Sequence, residues 1–250
     1  MNLELSQKTA LVTASSQGLG FAIAKEFAKE GANVIIASRS QEQIEQAIHA
    51  IQQVAPNPES VIGAAIDLSK TESIDAFVKK YATHFGGLDI LITNTAGPKG
   101  SHLENTTLED VNTAYQQLVA PVFQLIKSAQ PFLVKSDVAN ILSISSMSAK
   151  QPLPGLLLSN LFRPAVTALT KTLSQELGPK GIRVNSILPG WISTNRSKQL
   201  LTAGNSPFQL DAVEQSIPMK RIGTPEEFAK AATFMVSPAA SYISWHHAAG

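Results

Sequence analysis

The sequence has no cysteine in 250 residues. That absence excludes disulfides, thiolate zinc sites and cysteine nucleophiles together. Charge is also scarce. Only 16% of residues are Asp, Glu, Lys or Arg, and the formal net charge is +1, against about 25% charged residues in an average soluble domain. A near-neutral chain carries no electrostatic footprint for nucleic acid or an anionic membrane surface. No run approaches the roughly 18 apolar residues of a membrane span. Met1-Asn2-Leu3-Glu4 lacks the basic start and apolar core of a signal peptide. The five histidines are dispersed or, as His246-His247, sit in the last five residues, so no metal site is expected. With 44% hydrophobic residues the chain can bury enough surface to offset its ordering entropy. The expectation is a soluble, cytoplasmic protein of one domain spanning 1–250.

What is present is an alternation. Thr9-Ala10-Leu11-Val12-Thr13 reads as a buried strand, followed by a glycine-bearing turn and a helix with Ile23/Phe27 and Ala24/Ala28 four apart, stopped by Gly31. Further strands are expected at 33–37, 61–66, 88–93, 140–145 and 182–188. Helices lie between them, including a long one over 108–133 and another over 159–177. Continuous apolar strands separated by helices imply a parallel sheet covered on both faces. Right-handed crossovers then give an α/β, Rossmann-type doubly wound fold. Thr224-Pro225-Glu226-Glu227 carries a cap, an N1 proline and a capping box, which start a last helix. Residues 191–218 read as irregular and polar, a candidate binding lid.

Between the first strand and helix stands Thr13-Ala14-Ser15-Ser16-Gln17-Gly18-Leu19-Gly20. Small residues there let backbone N–H groups approach a pyrophosphate at a positive helix N-terminus. Gly18 and Gly20 alone would fit a tight turn equally well; their place after the first strand of a parallel sheet favours the nucleotide. At the end of the second strand the chain reads Ala37-Ser38-Arg39-Ser40. An acidic residue there would bond the adenosine ribose and favour NAD. Ser38 and Arg39 can instead hold a 2′-phosphate, although Arg39 could also be a solvated residue opening a surface helix. The expected cofactor is NADP(H), with NAD(H) the lesser choice.

These motifs resemble those of the short-chain dehydrogenase/reductase family. The loop is similar to its Thr-Gly-x-x-x-Gly-x-Gly, with Ala14 replacing the first glycine. Asn94-Thr95-Ala96-Gly97 resembles its Asn-Asn-Ala-Gly. Arg183-Val184-Asn185 and Pro189-Gly190-Trp191-Ile192-Ser193-Thr194 resemble its sixth strand and the segment that follows. The resemblance runs from about residue 5 to 243. It implies that Asn94, Ala96, Gly97, Pro189, Gly190, Ile192 and Thr194 contact cofactor, the last two at the carboxamide. It also implies an adenine contact at Asp67-Leu68, for which a helix cap is the other reading.

The family reduces carbonyls with a Ser, a Tyr and a Lys spaced Tyr-x-x-x-Lys, assisted by an Asn. Ser146 matches its serine, or merely caps a turn. Thirteen residues on, where the tyrosine belongs, is Ser159; four further, where the lysine belongs, is Arg163. The assisting Asn aligns with Leu118, and Pro121 stands where a glycine is usual. A serine hydroxyl is far less acidic than a phenol of pKa about 10. Arg163 stays protonated, yet can hold the ribose and an oxyanion. Lys150 could donate a proton or lie on the surface. Tyr115 is expected in core packing, while Trp191, Leu200, Leu201 and Phe208 line a substrate pocket or pack the lid.

Two functions stay open at this stage. One is an NADP(H)-dependent oxidoreductase of the 3-oxoacyl-acyl-carrier-protein reductase type, or a sugar or small-alcohol dehydrogenase, using Ser146, Ser159 and Arg163. The other is a non-catalytic dinucleotide-binding sensor or partner subunit. The resemblance implies a homo-oligomer, a tetramer or dimer. Where the family continues into a final strand ending Val-Asp-Gly-Gly, this chain runs Trp245-His246-His247-Ala248-Ala249-Gly250. The edge strand is therefore expected to be absent or remodelled.

Overall fold

Runs of six residues or fewer, rich in Val, Ile, Leu and Thr, are too brief for helices and too apolar to face water, so they assemble into one sheet. A computed structural model describes residues 2–202 and 207–245. Its strands are β1 (Thr9–Thr13), β2 (Asn33–Ser38), β3 (Val61–Ala65), β4 (Ile90–Thr93), β5 (Asn140–Ile144) and β6 (Arg183–Ile187). All pairings are parallel and the order is β3-β2-β1-β4-β5-β6. Every residue of β1, β4 and β5 is buried. Alternate side chains serve opposite cores, Ala10 and Val12 on one face and Leu11 on the other.

The first face is covered by α1 (Gly18–Lys29), α2 (Gln41–Gln52) and α9 (Pro225–Val236), through Phe27, Ile44 and Phe228. The opposite face carries α3 (Ile74–Ala82), α5 (Ala120–Leu133) and α6 (Leu157–Leu177), through Val78, Leu125 and Val166. The expected Rossmann-type, doubly wound single domain is what forms. Strand order reverses between β1 and β4, which opens a crevice at the strands' carboxyl ends.

Three expectations need correction. The helix over 108–133 is two helices, α4 (Leu108–Leu118) and α5, joined at Val119 with φ −106° and ψ −54°. Pro121 is the cause: it has no N–H to donate to Gln117, and its ring crowds that carbonyl. Residues 191–218 are not irregular, but include α7 (Asn195–Thr202) and α8 (Leu210–Ser216). Helix α7 is almost wholly polar, so it shows no apolar stripe in sequence. Tyr115 is not a core residue; it is 44% exposed on α4, its ring centroid 6.3 Å from that of Phe162.

Beyond α9, residues 243–245 lie against β6. The Trp245 N–H donates to the Val184 carbonyl at 3.1 Å, and Asn185 Nδ2 to the Ile243 carbonyl at 2.8 Å. Of the tail at 245–250, His246-His247 and the following residues lie outside the described residues. Among those described, no helix is long and apolar enough to cross a membrane.

Candidate active site

The loop between β1 and α1 is fixed from behind by hydroxyls. Thr13 Oγ1 donates to the Asn94 carbonyl and accepts from the Asn94 N–H, both at 2.8 Å. Ser15 Oγ donates to the Val12 carbonyl at 2.6 Å and accepts from the Ala37 N–H at 3.0 Å. Gly20 lets α1 press onto the loop, since a Cβ there would lie 2.6 Å from the Ala14 carbonyl oxygen. Thr13, Ser15 and Gly20 thus stand behind the wall, while Ser16, Gln17, Gly18 and Leu19 line a cleft of about 990 Å³. No acidic residue occupies the first turn of α1, and Gln17 makes no side-chain cap bond, so that positive helix end faces the cleft unneutralised.

At one end of the cleft are Ser38, Arg39, Ser40, Asp67 and Leu68. Ser16 and Ser38 share a hydroxyl hydrogen bond of 2.9 Å, and Arg39 is exposed. Asp67 is not a helix cap. It accepts from the Ser69 hydroxyl and N–H in a local turn. The Ser69 hydroxyl bond, above all, holds its carboxyl below the usual range, with the Lys70 and Arg39 charges adding to it.

At the other end Asn94, Ala96, Gly97, Ser146, Ser159, Arg163, Pro189, Gly190, Ile192 and Thr194 converge. Ser146 caps a single 3₁₀ turn, its Oγ accepting from the Ser148 N–H at 3.1 Å. The capping reading and the site reading of Ser146 are therefore compatible, because the same residue also lines the cleft. Ser148 Oγ and Ser159 Oγ lie 3.0 Å apart, so the two serines form a buried hydroxyl pair. Arg163 is 7% exposed. Its Nη1 donates to the Ile144 carbonyl at 3.2 Å, and its buried Nε has no partner among the described residues. Burial pushes its pKa down to about 10, and the charge of Arg196 adds to the shift. Arg163 therefore remains a cation at neutral pH.

Lys150 is exposed and outside the cleft lining, and Leu118 is wholly buried. Trp191 and Leu200 line the cleft, while Phe208 meets Trp191 edge-on with centroids 5.0 Å apart. Gln117 and Arg196 also line it, and sequence reasoning passed over both. Gln117 is one residue before the Leu118 position on the same helix, α4, and so faces a different way. Arg196 stands among Asn195, Ser197 and Lys198, a context that reads as solvated surface. The cleft fits a nicotinamide dinucleotide: an open helix N-terminus stands midway, and at the β4–β5 end Thr95 and Arg163 line it, with the buried Thr95 hydroxyl and Arg163 Nε lacking a partner among the described residues.

A family model described as enoyl-(acyl carrier protein) reductase matches residues 13–248. Human dehydrogenase/reductase SDR family member 4 is 34% identical over 241 residues, covering 96% of this chain and 84% of that protein. The 3-oxoacyl-[acyl-carrier-protein] reductase FabG of Chlamydia muridarum is 32% identical over 244 residues, covering 98% and 96%. Among solved structures, L-sorbose reductase from Gluconobacter frateurii, complexed with NADPH and L-sorbose, superposes with a TM-score of 0.88 at 29% identity, over 98% of this chain and 95% of that one.

Proposed function

Because the chain belongs to the short-chain dehydrogenase/reductase family of oxidoreductases, we propose that it is an NADP(H)-dependent enzyme of the 3-oxoacyl-acyl-carrier-protein reductase type. It interconverts a carbonyl compound and its secondary alcohol, working in the cytoplasm as a homo-oligomer. The observation that carries this reading is one continuous cleft with cationic and hydroxyl groups at both ends. At the β2 end, Ser38, Arg39 and the Ser16 hydroxyl would hold a 2′-phosphate; at the β5 end, Ser146, Ser159 and Arg163 surround the place for the reacting oxygen. The NADPH bound by a structural neighbour supports the choice of cofactor.

When bound, a nicotinamide supplies or takes up the hydride. The chain's own residues do the rest. Ser146 Oγ orients the substrate carbonyl. Arg163, fixed by Ile144 and desolvated, donates to the carbonyl oxygen and stabilises the negative charge that develops there, as a preorganised donor does. The Ser148–Ser159 hydroxyl pair holds that oxygen in place. A serine hydroxyl is too weak an acid to furnish the proton outright, so the proton reaches the oxygen from water.

Fluorescence titration with NADPH and NADH tests the cofactor. NADPH is expected to bind about tenfold or more tightly, the worth of one charge-assisted hydrogen bond, and Arg39→Ala to abolish that preference. Equal affinities, or an Arg39→Ala variant that keeps the preference, would overturn it. Turnover against a ketone, aldehyde and alcohol panel tests the chemistry. Activity is expected to disappear in Ser146→Ala and Arg163→Ala; tight cofactor binding without turnover would favour a non-catalytic sensor instead.

A further inference from the structure

Two arginines, Arg163 and Arg196, line the substrate half of the cleft, and among the described residues neither forms an ion pair with a carboxylate. Arg163 comes from α6, buried, with its Nε unpartnered. Arg196 comes from α7 and crosses to the loop after β4, where its Nη2 donates to the Pro98 carbonyl. It occupies the space that Gly97 leaves: a Cβ on residue 97 would lie 2.9 Å from Arg196 Nε and 3.4 Å from its Cζ. The two charges are close enough that Arg196 depresses the pKa of Arg163. The ion pairs among the described residues, Lys8–Asp137, Lys29–Glu26, Lys99–Asp110 and Arg221–Glu227, all lie elsewhere. Among the described residues, the only acidic one lining the cleft is Asp67, at the adenosine end. A desolvated cation without an anion is costly, and two in one cleft more so. An anion placed between them removes both penalties.

We infer that Arg196 is a specificity-determining residue which, with Arg163, receives a carboxylate next to the reacting carbonyl, so that within the oxidoreductase reading the substrates are short oxo acids with a free carboxylate, and their hydroxy acid counterparts, in place of acyl thioesters. Trp191, Leu153, Leu156 and Leu200 supply apolar walls around this cationic floor, which suits a short carbon chain. The inference rests on the oxidoreductase reading given above. The dinucleotide's pyrophosphate is the competing anion, and the experiment separates the two.

Wild type, Arg196→Gln and Arg196→Lys are compared on 3-oxobutanoate, its methyl ester and its amide. The readouts are kcat/KM with NADPH, and calorimetric binding of each compound to the protein alone and to the protein loaded with NADP. The carboxylate is expected to be preferred over the ester by about tenfold or more, the worth of one charge-assisted bond. Arg196→Gln should bring that ratio close to one, and Arg196→Lys should keep part of it. A ratio unchanged in Arg196→Gln overturns the inference, as does a variant that loses NADPH affinity while keeping the ratio. Should NADPH fail to bind at all, the cofactor reading falls, and calorimetry on the protein alone still decides. Binding of 3-oxobutanoate but not its ester, lost in Arg196→Gln, upholds the carboxylate site; no binding refutes it.

Discussion

Ala14 sits in the phosphate loop at φ +46°. A left-handed backbone costs a residue with a Cβ about 1–2 kcal/mol relative to its usual conformation, and glycine escapes that cost. Ala14→Gly should therefore stabilise the protein by roughly 1 kcal/mol after its greater unfolded-chain entropy is subtracted. At about 2–4 °C per kcal/mol for a chain of this size, the melting midpoint rises by that amount in calorimetry. A fall instead would mean that the methyl group packs against the loop more favourably than its strain costs. Ser146, Ser159 and Arg163 were reached through the resemblance to the family's Ser and Tyr-x-x-x-Lys positions, and all three line the cleft. Arg196 and Gln117 were not. Their partners stand far away in sequence, and a polar side chain beside other polar ones carries no periodic signal that it turns inward.

Among the elements, α9 shows local sequence acting most directly. Thr224 Oγ1 accepts from the Glu227 N–H at 3.2 Å, and the Thr224 N–H donates to Glu227 Oε2 at 2.8 Å. Arg221 also holds Glu227, and that bond more than any other pushes the Glu227 carboxyl down to about 2. The folded-state pKa is depressed, so this contribution is present above the ordinary carboxylate pKa and disappears as pH falls through it towards 2. Thr224→Ala should cost about 1 kcal/mol, the usual worth of a cap, seen as a drop of about 2–4 °C in the melting midpoint. Because α9 packs on α1 in the same core, the phosphate loop at the start of α1 depends on it. This start was readable because cap, proline and glutamate are adjacent in sequence. The break at Val119 was harder to place, since Pro121 is tolerated either in the first turn of a new helix or as a kink in an old one.

For the molecule as a whole, the open question is what finishes the sheet. Beyond α9 the chain lays residues 243–245 beside β6, and Arg183 at the start of that strand ties the two together. Its Nη1 donates to the carbonyls of Met235 and Ile243, both at 2.9 Å, and its Nη2 to those of Val236 at 3.1 Å and Ser237 at 3.0 Å. The Met235 and Val236 carbonyls would otherwise lack a donor among the described residues at the C-terminus of α9, where a cation is also favoured by the dipole. One fork thus joins the sheet edge, α9 and the terminal segment. Burial depresses the Arg183 pKa to about 10, so desolvation offsets part of what four bonds supply. A net worth of about 2–3 kcal/mol is consistent with charged hydrogen bonds. Arg183→Met keeps the apolar stem and removes the fork; at about 2–4 °C per kcal/mol its melting midpoint should fall by about 4–12 °C in calorimetry. Arg183→Lys, a single point charge without planar reach, should recover only part of that. If Arg183→Met melted with the wild type, the carbonyls would have to find water instead, and the terminal segment would contribute nothing to holding α9, and through it α1, against the sheet.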